Sequence, residues 1–412
     1  MDAKKNEEGL RQLYRFRRIM LLMALLVMMI ISIYQYSWSL FAFALARELK
    51  WSLATLGLTF TVFAYSATFI QPFSGYVADT FGPRKVSILA AVLVGLGFLL
   101  SSRATTPMEM HVFYGLGSVG VGILYGLSTA SAIKWFPEKR GFATGLVVFG
   151  FGAGTALFNW VIQQSLDLHG FRATFLYLGL FMLAILVPAA FFFKYPPADW
   201  KPSSGSSVRK AAAPAAEFRP SVMLRTYQWF LIYFCFSFTV SIVLMFGAQM
   251  KMLAKEYRLP PEYFNILLVL FPLGNGLSRV VAGAVSDWWG REKTMMVFYG
   301  LLGLSIIALL KYGDHAAAFV AIVFIAALLG GAPFALYPAT VGDYYGPKYS
   351  TVNYGITYTA KAWAGFISGW LSGYFVAQSG SYRFPLVLIA ICSLVAAVVS
   401  NPKWMKAPRQ RP

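Results

Sequence analysis

Carboxylates are scarce in this sequence, and absent where they would matter most. It holds 16 Asp and Glu against 35 Lys and Arg, and every acid lies in a tail, in a polar stretch or at the end of an apolar run. Charged residues of both signs make up only 12% of the chain, about half the share of a soluble domain. The two cysteines, Cys235 and Cys392, both fall inside apolar runs. They read as small core residues, which excludes a disulfide framework. The three histidines, His111, His169 and His315, stand at the outer ends of apolar runs. No His/Asp/Glu/Cys cluster is left within those runs to build a metal site or a catalytic dyad, so an enzyme is excluded and no cofactor is expected.

Apolar length fills the space that charge leaves. The chain of 412 residues is 58% hydrophobic, with a mean hydropathy of +0.61. At about 20 apolar residues per crossing, twelve transmembrane helices are expected: 19–46, 52–78, 86–102, 108–133, 142–166, 172–193, 227–250, 262–286, 294–310, 316–342, 351–378 and 383–400. The first follows a basic stretch, RFRR (15–18), but is too long for the apolar part of a signal peptide, about 7–15 residues. The longest polar interruption, Tyr195 to Arg225, is rich in Pro, Ser, Ala and basic residues and reads as a flexible linker. The fold class is therefore an all-α membrane protein of two six-helix halves, 1–194 and 226–412, joined by a linker over 195–225.

The net charge of +19 follows from topology. With the N-terminus inside, the tails, inner loops and linker hold 24 Lys and Arg, and the opposite loops hold 9. That bias places both termini and the linker in the cytoplasm of a cell (inner) membrane. No basic patch sits on a soluble module, so nucleic acid is not a partner. The expected partners are the lipid bilayer and a small solute, and the expected state is a monomer.

One pattern occurs twice. GYVADTFGPRK (75–85) closes the second span and GAVSDWWGREK (283–293) closes the eighth, 208 residues apart. Two parallel six-helix repeats account for that spacing. Gly75 and Gly283 are expected to allow close helix packing, and Gly82 and Gly290 to permit tight turns. Asp79 and Asp287, with Arg84 and Arg291 just beyond, form a candidate conformational latch between rocking halves. The duplicated Gly-x-x-x-Asp-x-x-Gly pattern followed by Arg or Lys resembles the major facilitator superfamily, over essentially the whole chain. The resemblance implies a 6+6 helical carrier working by alternating access.

Within the spans only two ionisable side chains lie deep, Arg279 in the eighth and Lys361 in the eleventh. Each is about 12–15 Å in from the cytoplasmic end at 1.5 Å per residue. A buried cation costs several kcal/mol unless it is paired, hydrated or snorkelling. Two at one depth with no acidic partner point to an anionic ligand, and arginine offers a fork that fits a carboxylate. Asn275 lies one turn from Arg279, and Tyr358 lies three residues before Lys361. Gln35 and Tyr36 of span 1, Tyr125 of span 4 and Phe334 of span 10 are further candidates for a pocket around a small organic anion.

A narrower resemblance appears at these residues. Gln35-Tyr36-Ser37-Trp38, the loop from Trp135-Phe136-Pro137 to Arg140-Gly141, Arg279 and Ala360-Lys361-Ala362 look like the oxalate/formate antiporter and bacterial monocarboxylate transporter branch. There, an arginine and a lysine at these places are the anion-binding pair. Asn275-x-x-x-Arg279 is also similar to the Asp-x-x-x-Arg of animal monocarboxylate transporters, in which the acid is implicated in proton coupling. The chain departs from these patterns at Asn275, at Gly57 and Gly330 (where the oxalate carriers would show a glutamine and a tryptophan) and at Phe334 (a tyrosine there). These departures predict a looser, more apolar pocket, for lactate or another short monocarboxylate. The expected activity is proton-coupled symport, with Lys361 as the proton-coupling candidate. The alternatives are an oxalate/formate-type exchanger and a carboxylate sensor that does not transport.

Overall fold

The computed structural model describes residues 2–136, 140–197, 217–346 and 349–408, with side chains from Gln12 onward except at Gly75, Asp79, Arg140, Gly141, Ser350 and Thr351. The described residues are helical nearly throughout, and the order of helices reproduces twelve spans. Nine stretches are long and apolar enough to cross a membrane by themselves. One of these, Phe142–Phe191, contains two spans, because Gly170 at φ 74° turns the chain within a continuous helical stretch. Span 11 falls outside those nine stretches and span 12, Arg383–Val399, is shorter than they are.

Local chemistry sets where spans begin. Thr106 and Glu109 form a reciprocal capping box at the start of span 4, satisfying amides that the first helical turn leaves open. Ser52 and Thr226 cap spans 2 and 7. Gly82 and Gly290 take nearly the same backbone conformation, φ 86° and ψ 140° against φ 97° and ψ 150°. Only glycine enters that region freely, so the sequence duplication is also a duplication of turn geometry.

Six spans are interrupted; span 2 is Leu53–Phe69 and Gln71–Phe81, divided at Ile70. Span 1 runs as Asp2–Ile31, Ile33–Tyr36 and Trp38–Leu49. Span 5 passes from Arg140–Ala153 through a 3₁₀ turn at Gly154–Ala156. Span 7 is divided at Val240, and span 10 at Gly331–Ala332, just before Pro333. Span 11 is Ser350–Tyr358, Ala360–Phe366, a π-helical segment Ile367–Leu371, and Ser372–Ser379. Non-helical backbone at membrane depth is tolerated where protein buries it or where it lines a cavity.

The halves meet along two seams built from small residues. In the first, a Cβ on Gly152 of span 5 would stand 2.7 Å from the Cα of Gly276 of span 8. In the second, a Cβ on Gly57 of span 2 would stand 2.3 Å from the carbonyl oxygen of Gly369 of span 11. A Cβ on Gly365 of span 11 would overlap Ala64 of span 2. Close backbone approach over small residues is the usual basis of helix packing in lipid.

Two expectations change here. The linker's last part is ordered. Phe218 is buried, its amide donates to the Tyr345 carbonyl and its own carbonyl accepts from Asn353, and a short helix follows at Pro220–Met223. The apolar Phe218, stacked edge-on at 5.5 Å from Tyr345, anchors this piece to the second half. Residues 198–216 of the linker lie outside the described residues. The other change concerns Gly283, which does not mediate close packing: a Cβ there would meet nothing within 4 Å. Its neighbours Ala282 and Ser286 carry the buried face at this end of span 8, and Gly283 itself is only partly buried.

Candidate functional site

Arg279 and Lys361 converge. Arg279 is 4% exposed and Lys361 2%, and their charges are close enough to act on each other. They share two walls. The Arg279 guanidinium carbon lies 4.7 Å from the Phe334 ring centre and 6.0 Å from Phe151. The Lys361 ammonium lies 5.6 Å from Phe151 and from Tyr358, 5.8 Å from Phe63 and 6.0 Å from Phe334.

The arginine is fixed by backbone. Its Nη1 donates to the Val148 carbonyl of span 5 at 2.5 Å, across the first seam. Gly152 faces Gly276 of span 8 and lets the two helices approach closely enough for the guanidinium to reach the main chain of span 5, while Gly150 and Gly154 face span 1. Its Nε is buried without a partner, so part of a five-donor fork remains free. The lysine is held differently. Four ring faces surround its ammonium at distances near the outer limit of about 6 Å for a cation–π contact. Such contacts are worth about 0.5–2 kcal/mol, against a desolvation cost of several kcal/mol. Among the described residues neither cation is in an ion pair.

Other expected residues gather around this pair. Asn275, fully buried, donates from Nδ2 to the Gly152 carbonyl at 3.4 Å, while its Oδ1 has no partner. The Tyr36 hydroxyl lies beside Asn275 and Arg279 without closing a hydrogen bond of normal geometry on either. Tyr125 stacks on Tyr358 at 5.9 Å and meets Phe151 edge-on at 5.1 Å. Phe334 lies 6.3 Å from Tyr358. Gln35 is the exception. It is buried with both amide atoms unpartnered, and its main chain lies against Gly247 of span 7. Among the described residues no hydrogen bond joins it to either cation.

Phe151, Phe63 and Tyr354 were not singled out from sequence. Tyr354 packs 5.6 Å from Tyr358. A phenylalanine in an apolar run carries little signal. The exception is Phe151, the one large side chain in Gly150-Phe151-Gly152-Ala153-Gly154, and that context could have marked it.

The pocket is not loosened at the two glycines. Gly57 and Gly369 bring the backbones of spans 2 and 11 together, and a Cβ on Gly330 would meet Val243 of span 7 at 2.6 Å. Neighbouring helices occupy the volume that larger side chains would take. The expectation of a roomier cavity fails because helices without side chains at a crossing move closer instead of leaving a void.

At the termini side, Arg291 pairs with Asp287 at 2.7 Å and with Asp343 at 3.1 Å, and also donates to Ser286. These partners belong to spans 8 and 10, so the pairs brace the second half internally. Pro83 stands where Arg291 stands in the repeat, and Arg84 aligns with Glu292, which accepts from Tyr344 at 2.5 Å. Arg84 is exposed. Gly75 and Asp79, like the Pro137–Gly141 part of the loop after span 4, lie outside the described side chains.

Comparison with known proteins agrees with this architecture. The profile of the Major Facilitator Superfamily matches residues 20–250 and again 229–411. The chain is 32% identical over 386 residues to an oxalate:formate antiporter of Oxalobacter formigenes, covering 92% of this chain and 90% of that one. It is 32% identical over 381 residues to an uncharacterised 38 kDa protein in the 23S RNA operon of Thermoproteus tenax, covering 92% and 94%. A probable sulfoacetate transporter of Cupriavidus necator is 25% identical over 86% of each chain. Among solved structures, the nucleoside transporter NupG superposes with a TM-score of 0.66 at 16% identity, covering 92% of this chain and 98% of that one; this likeness supports the fold alone. The chain belongs to the major facilitator superfamily and is a multi-pass membrane transporter, not an enzyme.

Proposed function

We propose that the protein carries small carboxylate anions across the membrane by alternating access, with the substrate held between Arg279 and Lys361. The observation that carries this reading is two buried cations sharing the Phe151 and Phe334 walls with no acidic partner among the described residues. Arg279 supplies directional donors to one carboxylate. Tyr36 and Asn275, whose hydroxyl and Oδ1 have no regular partner, orient it. The rings of Phe151, Phe334, Tyr125 and Tyr358 enclose the carbon end and exclude water.

Substrate charge decides the coupling. A small dianion spans both cations and makes the loaded carrier neutral at the site, which suits exchange of one carboxylate for another. The oxalate:formate antiporter among the relatives supports that class of substrate. A second reading, proton-coupled symport of a monocarboxylate such as lactate, rests on the ring-only surroundings of Lys361. With no fixed acceptor to hold its proton, Lys361 could take up a proton as the anion binds and give it up on release. The braced loop around Arg291 and Asp287 keeps the second half rigid while the halves rock, and Gly75, Asp79, Gly82 and Arg84 are the candidate latch of the first half. The excess of Lys and Arg in the loops on the termini side supports a cytoplasmic position for that side.

The test is uptake of labelled oxalate, formate and lactate into proteoliposomes. The arms are internal carboxylate with no gradient, and an inward proton gradient with empty vesicles. Uptake that needs internal carboxylate identifies the exchanger, and uptake driven by the gradient identifies the symporter. Saturable carboxylate uptake at the normal rate by Arg279→Gln would refute the assignment of the site.

A further inference from the structure

A pocket of about 350 Å³ opens at the mouth opposite the termini, between spans 1, 5, 7 and 8. Lys251 and Lys255, one turn apart on span 7, line it together with Asn265, Gln163, Gln164 and Asp167. The Lys251 ammonium donates to Gln163 Oε1 at 2.6 Å, which ties the second half to the first. It also sits 4.5 Å from the Phe264 ring and 5.3 Å from Phe43. Lys255 lies 5.7 Å from the same Phe43 ring. Gln163 in turn donates to Asp167 at 2.5 Å. The carboxylate therefore engages Gln163's amide, and Lys251 is held by a neutral oxygen. Two cations face one acid, leaving net positive charge in a concave mouth, which concentrates anions.

We propose that this pocket is a second carboxylate site, which loads the substrate before it reaches Arg279. An incoming carboxylate displaces Gln163 from Lys251. The Gln163 oxygen that Lys251 now holds is neutral, whereas a carboxylate brings a full opposite charge to both lysines, and that Coulombic gain favours the exchange. Because the displaced bond crosses the halves, the same event loosens the mouth.

The route inward is laid out on span 8. Phe264, Leu268, Phe271, Asn275 and Arg279 recur at helical spacing on one face and are all buried. Phe271 packs 5.8 Å from Tyr36. Between pocket and centre lies one polar layer, in which Ser37 donates to Asn159 and Asn159 donates to the Leu268 carbonyl. From Asn265 to Arg279 is fourteen residues, about 21 Å along the helix. The two sites are therefore separate.

The inference rests on the carboxylate reading of the central site, and its test separates the two. In a Cys392→Ser background, Gln164→Cys places a thiol in the pocket, and Cys235 is buried. Labelling is compared between an anionic and a cationic methanethiosulfonate reagent in zwitterionic vesicles. The anionic reagent is expected to react at least several-fold faster, and added oxalate or formate to slow it saturably. Protection should persist in Arg279→Gln, which has lost transport. Lys251→Gln with Lys255→Gln should erase both the preference and the protection, while arginine at both positions keeps them. Protection that disappears with Arg279→Gln, or survives loss of both lysines, overturns the second site. Protection given by anionic lipid and not by free carboxylate overturns it as well. Normal carboxylate uptake by Arg279→Gln would instead count against the central assignment alone.

Discussion

The two seams between the halves are built alike and hold their cations differently. On the seam of spans 5 and 8, Arg279 reaches across and is tied to the Val148 carbonyl. On the seam of spans 2 and 11, the Lys361 ammonium lies near four rings and, among the described residues, in no ion pair, and the crossing is held by glycines and by Thr61. A cation bonded to backbone keeps its position whatever the ligand does. One surrounded by rings is free to move toward a charge or to exchange a proton. Arg279 thus fits a permanent anchor and Lys361 a responsive partner.

The sharpest way to break the comparison is at the anchor. Arg279→Gln removes the charge and the fork, and loss of one partner of a buried charge pair costs about 3–5 kcal/mol. Carboxylate transport should fall at least 100-fold in a proteoliposome assay with protein levels unchanged. Arg279→Lys should recover little, because an ammonium lacks the planar fork that grips a carboxylate with two parallel bonds. Recovery to near wild-type rates would show that charge alone matters on this seam.

Next come the crossings. Gly57→Val puts branched carbon where the Gly369 carbonyl lies 2.3 Å from a Cβ, and backbone cannot yield as a flexible side chain can. Gly152→Val meets the Gly276 Cα at 2.7 Å. Both should block the closed form and reduce exchange by an order of magnitude or more, with Gly57→Val the worse. If Gly57→Val transports normally, the close approach of spans 2 and 11 is not part of the cycle.

Asn275→Asp tests what an acid one turn before Arg279 would do. Asn275 donates to the Gly152 carbonyl; an ionised Asp there can only accept. It would face another acceptor and neutralise Arg279 in competition with substrate. Transport should fall about tenfold at neutral pH. It should rise as pH is lowered, because protonation restores both the donor and the free positive charge. A pH-independent loss would mean that the side chain acts only by shape. Lys361→Gln divides the coupling readings. Exchange of oxalate should fail while some formate transport persists if Lys361 binds a second carboxylate. Proton-gradient dependence should vanish if it carries the proton.

How much of this was legible in the sequence follows from what leaves a sequence signal. Charge in an apolar run is rare, so Arg279 and Lys361 stand out, and the repeated glycine turns could be paired by eye. The aromatic walls could not. Phe63 looks like any other phenylalanine in lipid, and only the three-dimensional crossing makes it a neighbour of Lys361. Gly57 was misread for a related reason. A missing side chain suggests a hole, whereas helices in lipid move together to fill it. The ordered end of the linker was hidden because one buried Phe218 among polar residues leaves no periodic pattern.

The smallest effect is expected at Thr61, and it bears most directly on how Lys361 could respond. The π-helical segment Ile367–Leu371 begins six residues after Lys361 and disrupts the regular ladder of span 11. Its main-chain groups find partners elsewhere. The Trp370 amide donates to Thr61 Oγ1 at 3.1 Å, and Gln249 donates to the Ser368 and Gly369 carbonyls at 2.8 and 3.0 Å. Thr61 belongs to the first half, so the bulge is tied to the seam that must part when the mouth opens. Thr61→Val keeps the shape and removes both the acceptor for Trp370 and the hydroxyl donor shared between the Gly57 and Gly365 carbonyls, at a net cost of about 1 kcal/mol. That shifts the balance between closed and open mouths about fivefold toward open, raising thiol labelling at Gln164→Cys with little change in maximal transport. Gly57→Ala, a steric change at the same crossing, should cut transport as well. If Thr61→Val leaves labelling where it was, the bulge is supported within its own half, and Lys361 is not coupled to the mouth through span 11.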